Sequence, residues 1–199
     1  MPTLPPITKA LMLICTAIFC LQLVVPVVDV VFALWPLSSG RFWPWQIVSY
    51  AFLHGDTLHL FFNMFGLWMF GSELERLWGS KRYIHMLLAS VVAAAAVQLI
   101  FTLLSGSRAP TVGASGALFG LLLSFGMLFP NRVIMPLFPP IPMKARTFVA
   151  VFGGIELLMG LMGSSGVAHF AHLGGMLGAW LLISYWRGSS PFGGGRRRR

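Results

Sequence analysis

Six long apolar stretches alternate with short connectors that carry nearly all of the basic residues, and this alternation limits the fold more than any other feature of the chain. A stretch of about 20 mostly apolar residues is long enough to cross a bilayer as a helix. The candidate spans cover about 10–28, 58–74, 83–104, 112–129, 147–162 and 167–186. In hydrocarbon every backbone N–H and C=O must be satisfied within the protein, so spanning segments of this length are helices. Composition agrees: 57% of the residues are hydrophobic and 10% are charged, against about a quarter charged in soluble domains. The expected fold class is an all-α polytopic membrane protein, a single domain over 1–199 with six transmembrane helices. The first stretch follows Lys9, as in a signal peptide, but it is long for one and no clean cleavage site follows it. The fourth and fifth stretches are short and call for burial in a bundle or a locally thinned bilayer.

The net charge of +9 raises the question of nucleic acid. The basic residues sit between apolar runs and in Arg196–Arg199, with no basic stripe interleaved with aromatics, so no nucleic-acid partner is expected. They fit the flanks of membrane helices instead. With the N-terminus inside, twelve of the fourteen Lys and Arg fall on inner segments, and only Arg41 and Arg108 fall outside. Both termini are therefore expected in the cytoplasm, in a multi-pass protein of the cell inner or plasma membrane. The tail 188–199 reads as a disordered basic end beside anionic lipid. The outer segment 30–57 holds Phe32, Trp35, Phe42, Trp43, Trp45, Tyr50 and Phe52, and is expected to lie partly embedded in the outer leaflet. The segment 136–142 is a proline-rich inner connector. Cys15 and Cys20 lie five apart in the first apolar run, a spacing that suits packing rather than a disulfide.

Polar groups inside a membrane are costly and mark function. His59 and Asn63 open the second span, Ser115 opens the fourth, and His169 and His172 open the sixth. All three spans enter from the outer side in this topology, so the groups share one layer below the outer surface. Ser115 sits among Gly113, Ala114, Gly116, Ala117 and Gly120, which let another backbone approach and leave its oxygen accessible. A helix N-terminus there adds free N–H groups for an anion. His172 is suited to accept the serine proton. His59 and Asn63, four apart on one helix face, are donors for an oxyanion. Among the acids, Asp29, Glu73 and Glu75 are poorly placed and Glu156 falls near mid-span, so Asp56 is the only geometric candidate for a third member. A Ser115–His172 dyad is expected.

These residues resemble the rhomboid family of intramembrane serine proteases. Gly113-Ala114-Ser115-Gly116 is similar to its GxSG, His59-Leu60-Phe61-Phe62-Asn63 to its HxxxN, and Ala171-His172-Leu173-Gly174-Gly175 to its AHxxG. They occur in the family's order on spans two, four and six. The resemblance implies a six-helix rhomboid-like bundle, Ser115 as nucleophile, and His172 as base and then acid. It implies an oxyanion hole of His59, Asn63 and the Ser115 backbone N–H. It also matches His54 to a histidine of the outer loop, Glu75 to a glutamate bracing the inner end of span two, and Phe119 to an aromatic that packs on the catalytic histidine. Two positions depart. Gln46 stands in Trp45-Gln46 where arginine is usual, which suggests a looser outer loop, and Ala179 stands where glycine is usual.

The activity so implied is serine endopeptidase cleavage in or beside transmembrane helices of membrane-protein substrates, with the site open to the outer side, no cofactor and no metal. Such a helix must unwind locally to expose its carbonyls. The resemblance further implies a small residue just before the cut. Entry is expected laterally past spans two and five, the latter carrying Gly153, Gly154 and Gly160. A transporter would predict charged pairs at mid-depth and internal repeats, and no repeat is found. A metalloprotease could use His169 and His172, three apart, but the sequence has no HExxH and no carboxylate is expected nearby. A catalytically inactive relative that binds membrane proteins would have lost Ser115 or His172, and both are present.

Overall fold

A computed structural model describes residues 3–137, 140–163 and 168–188, and it is mostly helical. The described residues stop short of most of the basic tail and of Val167, so those expectations fall outside them.

Helix α1 (Pro6–Val24) has proline in its first turn, where a missing N–H costs nothing. The short α2 (Val27–Phe32) follows, then single 3₁₀ turns at Leu37–Ser39 and Tyr50–Phe52 on either side of α3 (Gln46–Ser49). Helix α4 (Thr57–Gly66) is capped by Asp56, whose carboxylate accepts the His59 N–H at 2.8 Å. A π-helical turn, Leu67–Gly71, carries α4 into α5 (Ser72–Ser105). The two spans expected at 58–74 and 83–104 thus meet across a one-residue break rather than a connector. Gly79 is that break, at φ +73°, which glycine adopts without a side-chain clash.

Helix α6 (Ser115–Leu128) begins at Ser115 itself, three residues later than the apolar run. Residues 111–114 are held as a loop because Thr111 pairs with Leu34 in an antiparallel bridge, at 2.9 and 3.0 Å. A two-residue antiparallel ladder, β1 (Val133–Ile134) on β2 (Met143–Lys144), flanks the proline-rich segment 136–142 and was not expected there. Helices α7 (Ala145–Met162) and α8 (His169–Trp186) complete the chain.

Helices α5, α6 and α8 pack on one another and form the centre, with α7 against α6 and α8. Glycines set their spacing. A methyl group at Gly174 would meet Ala93 O and Val97 Cβ at 2.8 Å, and one at Gly178 would meet Ala89 O at 2.5 Å, so α8 lies directly on α5. A methyl at Gly175 would overlap the Gly116 carbonyl, so α8 also lies directly on α6. Ala179, where the resemblance implies glycine, is fully buried.

Among the described helices, Pro6–Val24, Thr57–Ser105 and Ala145–Met162 are long and apolar enough to cross a membrane. Helix α6 has 14 residues, about 21 Å at 1.5 Å each, and is enclosed by the bundle, with Leu121 and Ser124 fully buried. Cys15 is buried and Cys20 exposed, both as free thiols.

Candidate active site

Glycine and small residues bring a serine to the first position of a helix. Gly113, at φ +125°, turns the chain so that Ser115 starts α6. Its N–H bonds the Tyr50 carbonyl at 2.9 Å, and the buried Tyr50 hydroxyl donates to the Val91 carbonyl at 3.0 Å, which fixes the loop to α5. In this first turn the backbone N–H groups have no carbonyl one turn earlier to bond, so they can serve an anion at the helix end.

The close approach of α8 to α6 brings His172 to the serine. His172 Nε2 lies 2.7 Å from Ser115 Oγ. The ring is stacked face to face on Phe119, with centroids 4.4 Å apart and 8° between planes. Both histidines at the start of α8 are turned toward α7. Glu156 Oε2 lies 2.7 Å from His172 Nδ1 and 2.6 Å from His169 Nδ1. A carboxylate only accepts, so each Nδ1 carries the proton and donates. That tautomer leaves the His172 Nε2 lone pair for the serine hydroxyl. Ser115, His172 and Glu156, from α6, α8 and α7, therefore form one chain of hydrogen bonds, and the expected Ser115–His172 pair has a carboxylate on its second nitrogen. Asp56 is occupied as the cap of α4.

Glu156 was set aside in the sequence because it falls near mid-span, but its side chain reaches the start of α8 from the neighbouring helix. A signal was present. A glutamate inside an apolar span demands a partner, and counting back seven residues from Gly163 puts it about 10 Å below the helix end, within side-chain reach of the polar layer.

The donors lie on the other side of the serine. Gly55 N–H donates to His59 Nδ1 at 3.3 Å, so the His59 proton is on Nε2. A methyl group built on Gly113 would lie 2.7 Å from His59 Nε2 and 3.5 Å from Ser115 Oγ. The same small space is thus bordered by a histidine N–H and by the serine oxygen. Asn63 is buried and its amide donates to the His59 carbonyl at 2.8 Å, which leaves its second N–H for another acceptor.

The remaining expected residues act at longer range. His54 is buried with its ring edge-on to His59, centroids 5.2 Å apart. Burial, with the neighbouring His59 ring adding to it and the Phe52 carbonyl opposing, brings its pKa down to about 4. Gln22 holds that segment to α1: its amide donates to the His54 carbonyl at 3.1 Å and to Asp29 at 2.6 Å, and it accepts the His54 N–H at 3.1 Å. Glu75 is far from the serine. It accepts the Ile7 and Thr8 N–H groups at 2.9 and 2.7 Å and the Thr8 and Ser80 hydroxyls, and so caps the N-terminus of α1. The outer loop is not loosened by Gln46. That side chain is fully buried, accepts from the Trp35 and Trp43 N–H groups at 3.3 and 3.2 Å, and donates to the Val31 and Arg41 carbonyls at 3.1 Å each. An uncharged amide that both gives and accepts ties four backbone groups together without burying a charge.

Residues 41–188 match the Rhomboid domain family. The chain is 30% identical over 186 residues to rhomboid protease GlpG of Yersinia pestis (strain Pestoides F), a stretch covering 91% of this chain and 62% of that protein. It is 35% identical over 99 residues to mitochondrial rhomboid protein 1 of Saccharomyces cerevisiae, covering 49% of this chain and 29% of that protein. The chain thus spans a little under two thirds of the length of the Yersinia relatives.

Proposed function

The chain belongs to the rhomboid family, and from that premise we propose that it is an intramembrane serine endopeptidase that cuts transmembrane helices of other proteins. The observation that carries this reading is the 2.7 Å approach of His172 Nε2 to Ser115 Oγ at the N-terminus of a buried helix.

Ser115 Oγ attacks the scissile carbonyl carbon as His172 Nε2 takes its proton. The imidazolium so formed keeps its Nδ1–H on Glu156, whose negative charge stabilises it. The oxygen of the tetrahedral intermediate is held by the Ser115 N–H, His59 Nε2–H and the Asn63 amide, donors already fixed before substrate arrives. The intermediate collapses as His172 gives its proton to the leaving nitrogen. Water gives a proton to His172 as it attacks the acyl-serine carbonyl; the C–Oγ bond then breaks, His172 returns the proton to Ser115 Oγ, and the carboxylate product leaves. His54 and Gly113 keep His59 in place, Phe119 fixes the plane of the base, and His169 shares the acid.

The six apolar segments, counted with Thr57–Ser105 divided at Gly79, span the membrane with both termini in the cytoplasm. The site opens to the outer side, which supplies the water. Substrate helices unwind near small or helix-breaking residues, because a helical carbonyl is hydrogen-bonded and closed to attack.

The test is cleavage of a reporter with a transmembrane helix carrying a small-residue segment near its outer end, after reconstitution in vesicles. Wild type should cut it, with or without chelator, and Ser115→Ala and His172→Ala should not. Cleavage that survives Ser115→Ala would end the reading.

A further inference from the structure

The second nitrogen of the base lies in a cluster that the hydrolytic reaction does not fully use. Glu156 Oε2, His169 Nδ1 and His172 Nδ1 lie within 4.8 Å of one another, and all three side chains are about nine-tenths buried. Serine activation requires one carboxylate on His172. It does not require a second imidazole on the same oxygen, yet His169 Nδ1 is there at 2.6 Å. Two imidazole nitrogens and a carboxylate oxygen are the donor set zinc takes when one position stays open. Such a set favours late transition ions over magnesium or calcium.

We propose that Glu156, His169 and His172 form a binding site for a divalent transition-metal ion, with zinc as its probe, and that the occupied site switches the protease off. Metal–ligand bonds of about 2.0–2.2 Å in a tetrahedral arrangement separate the donors by about 3.3 Å. The two hydrogen bonds would lengthen by about 0.6 Å to admit the ion, a change within reach of side-chain torsions. Each neutral imidazole keeps its single proton but carries it on Nε2 once Nδ1 binds the metal. His172 Nε2–H then faces Ser115 Oγ as a donor and has no lone pair to take the serine proton. The ion is held on the far side of the base from the nucleophile, so it removes base function without touching the serine.

Binding itself is independent of the proposed protease function, whereas the inhibition rests on it, and two measurements separate them. Zinc affinity is measured on the full-length Ser115→Ala protein by competition with a fluorescent zinc indicator. It is compared with the double variants that add His169→Gln or Glu156→Gln. One zinc per chain, weakened at least tenfold by either addition, is expected. Equal binding by all three proteins would overturn the site. Reporter cleavage by wild type should fall reversibly as buffered free zinc rises and return with chelator. In His169→Gln, whatever its own rate, the zinc giving half inhibition should rise at least tenfold. Tight binding with wild-type cleavage unchanged would overturn the switch. Binding by Ser115→Ala with no cleavage by wild type would instead sink the protease function and leave the metal site standing.

Discussion

Glu156 is the residue whose replacement says most about the chemistry. Gln in its place keeps the volume but presents an amide in place of the carboxylate at His172 Nδ1, so the relay loses both its charge and its control of the tautomer. Glu156→Gln should lower kcat by roughly 10²–10⁴-fold, the range of a general acid–base contribution, with KM little changed. Reporter kinetics in vesicles, beside an unchanged thermal midpoint, would check this; a fall in the midpoint with kcat intact would make Glu156 a packing residue. His54 gives a second prediction. Its pKa is lowered from 6.5 to about 4, so the unfolded chain binds a proton on it at a pH where the folded chain does not. The stability from the neutral ring is complete above pH 6.5. It is lost as the pH falls from 6.5 toward 4, at up to about 1.4 kcal/mol per pH unit. Unfolding midpoints in detergent between pH 7 and 4 should drop accordingly, and His54→Leu should flatten the drop.

Among the elements, the contact of α8 on α6 decides whether the site exists. Gly175 lies so close to the Gly116 carbonyl that any side chain must push the helices apart, and Gly116 adjoins Ser115. Gly175→Ala should therefore lower kcat about 10²-fold, the effect of a misplacement near 1 Å, and destabilise the protein by about 1–3 kcal/mol through overpacking. Cleavage rates and thermal midpoints read together test it, and wild-type values for both would remove the seam from the argument. Helix α7 contributes its glutamate from the less enclosed side of the bundle, where Ile155, Leu157 and Leu158 are about half exposed. The acid thus belongs to the same element that was expected from sequence to lie along the substrate's path.

At the scale of the whole molecule, the proposed orientation rests on charge placement and site depth. Arg76, Lys81, Arg82, Arg132 and Arg146 lie at the end of the bundle where Glu75 caps α1, whereas Ser115, His59 and His172 lie at the other. Single cysteines at Lys81 and Arg108, in a background lacking Cys15 and Cys20, should differ in labelling by an impermeant thiol reagent added to whole cells. Position 108 should react and position 81 should not. The reverse pattern would invert the topology and put the site on the cytoplasmic side. The stretch from α2 to α3 carries exposed Val27, Val30, Trp43 and Trp45, with the two tryptophans stacked at 5.1 Å, an apolar surface suited to a membrane leaflet.

Much was legible along the chain because the information is local. Hydrocarbon leaves a long apolar run no alternative to helix, so the helical membrane-protein class follows from the sequence alone. Ser115, His172, His59 and Asn63 could be singled out as candidates because polar groups among small residues are rare within spans. What needed the tertiary structure is pairing between helices. The carboxylate on His172, the anchoring of the outer loop by Gln46 and its tie to α1 through Gln22 all depend on how helices and loops sit against one another. The break at Gly79 and the late start of α6 are backbone events that an apolar run does not mark. Hydropathy states which solvent a segment prefers, and it is the crossing of glycine-lined helices that decides which side chains meet.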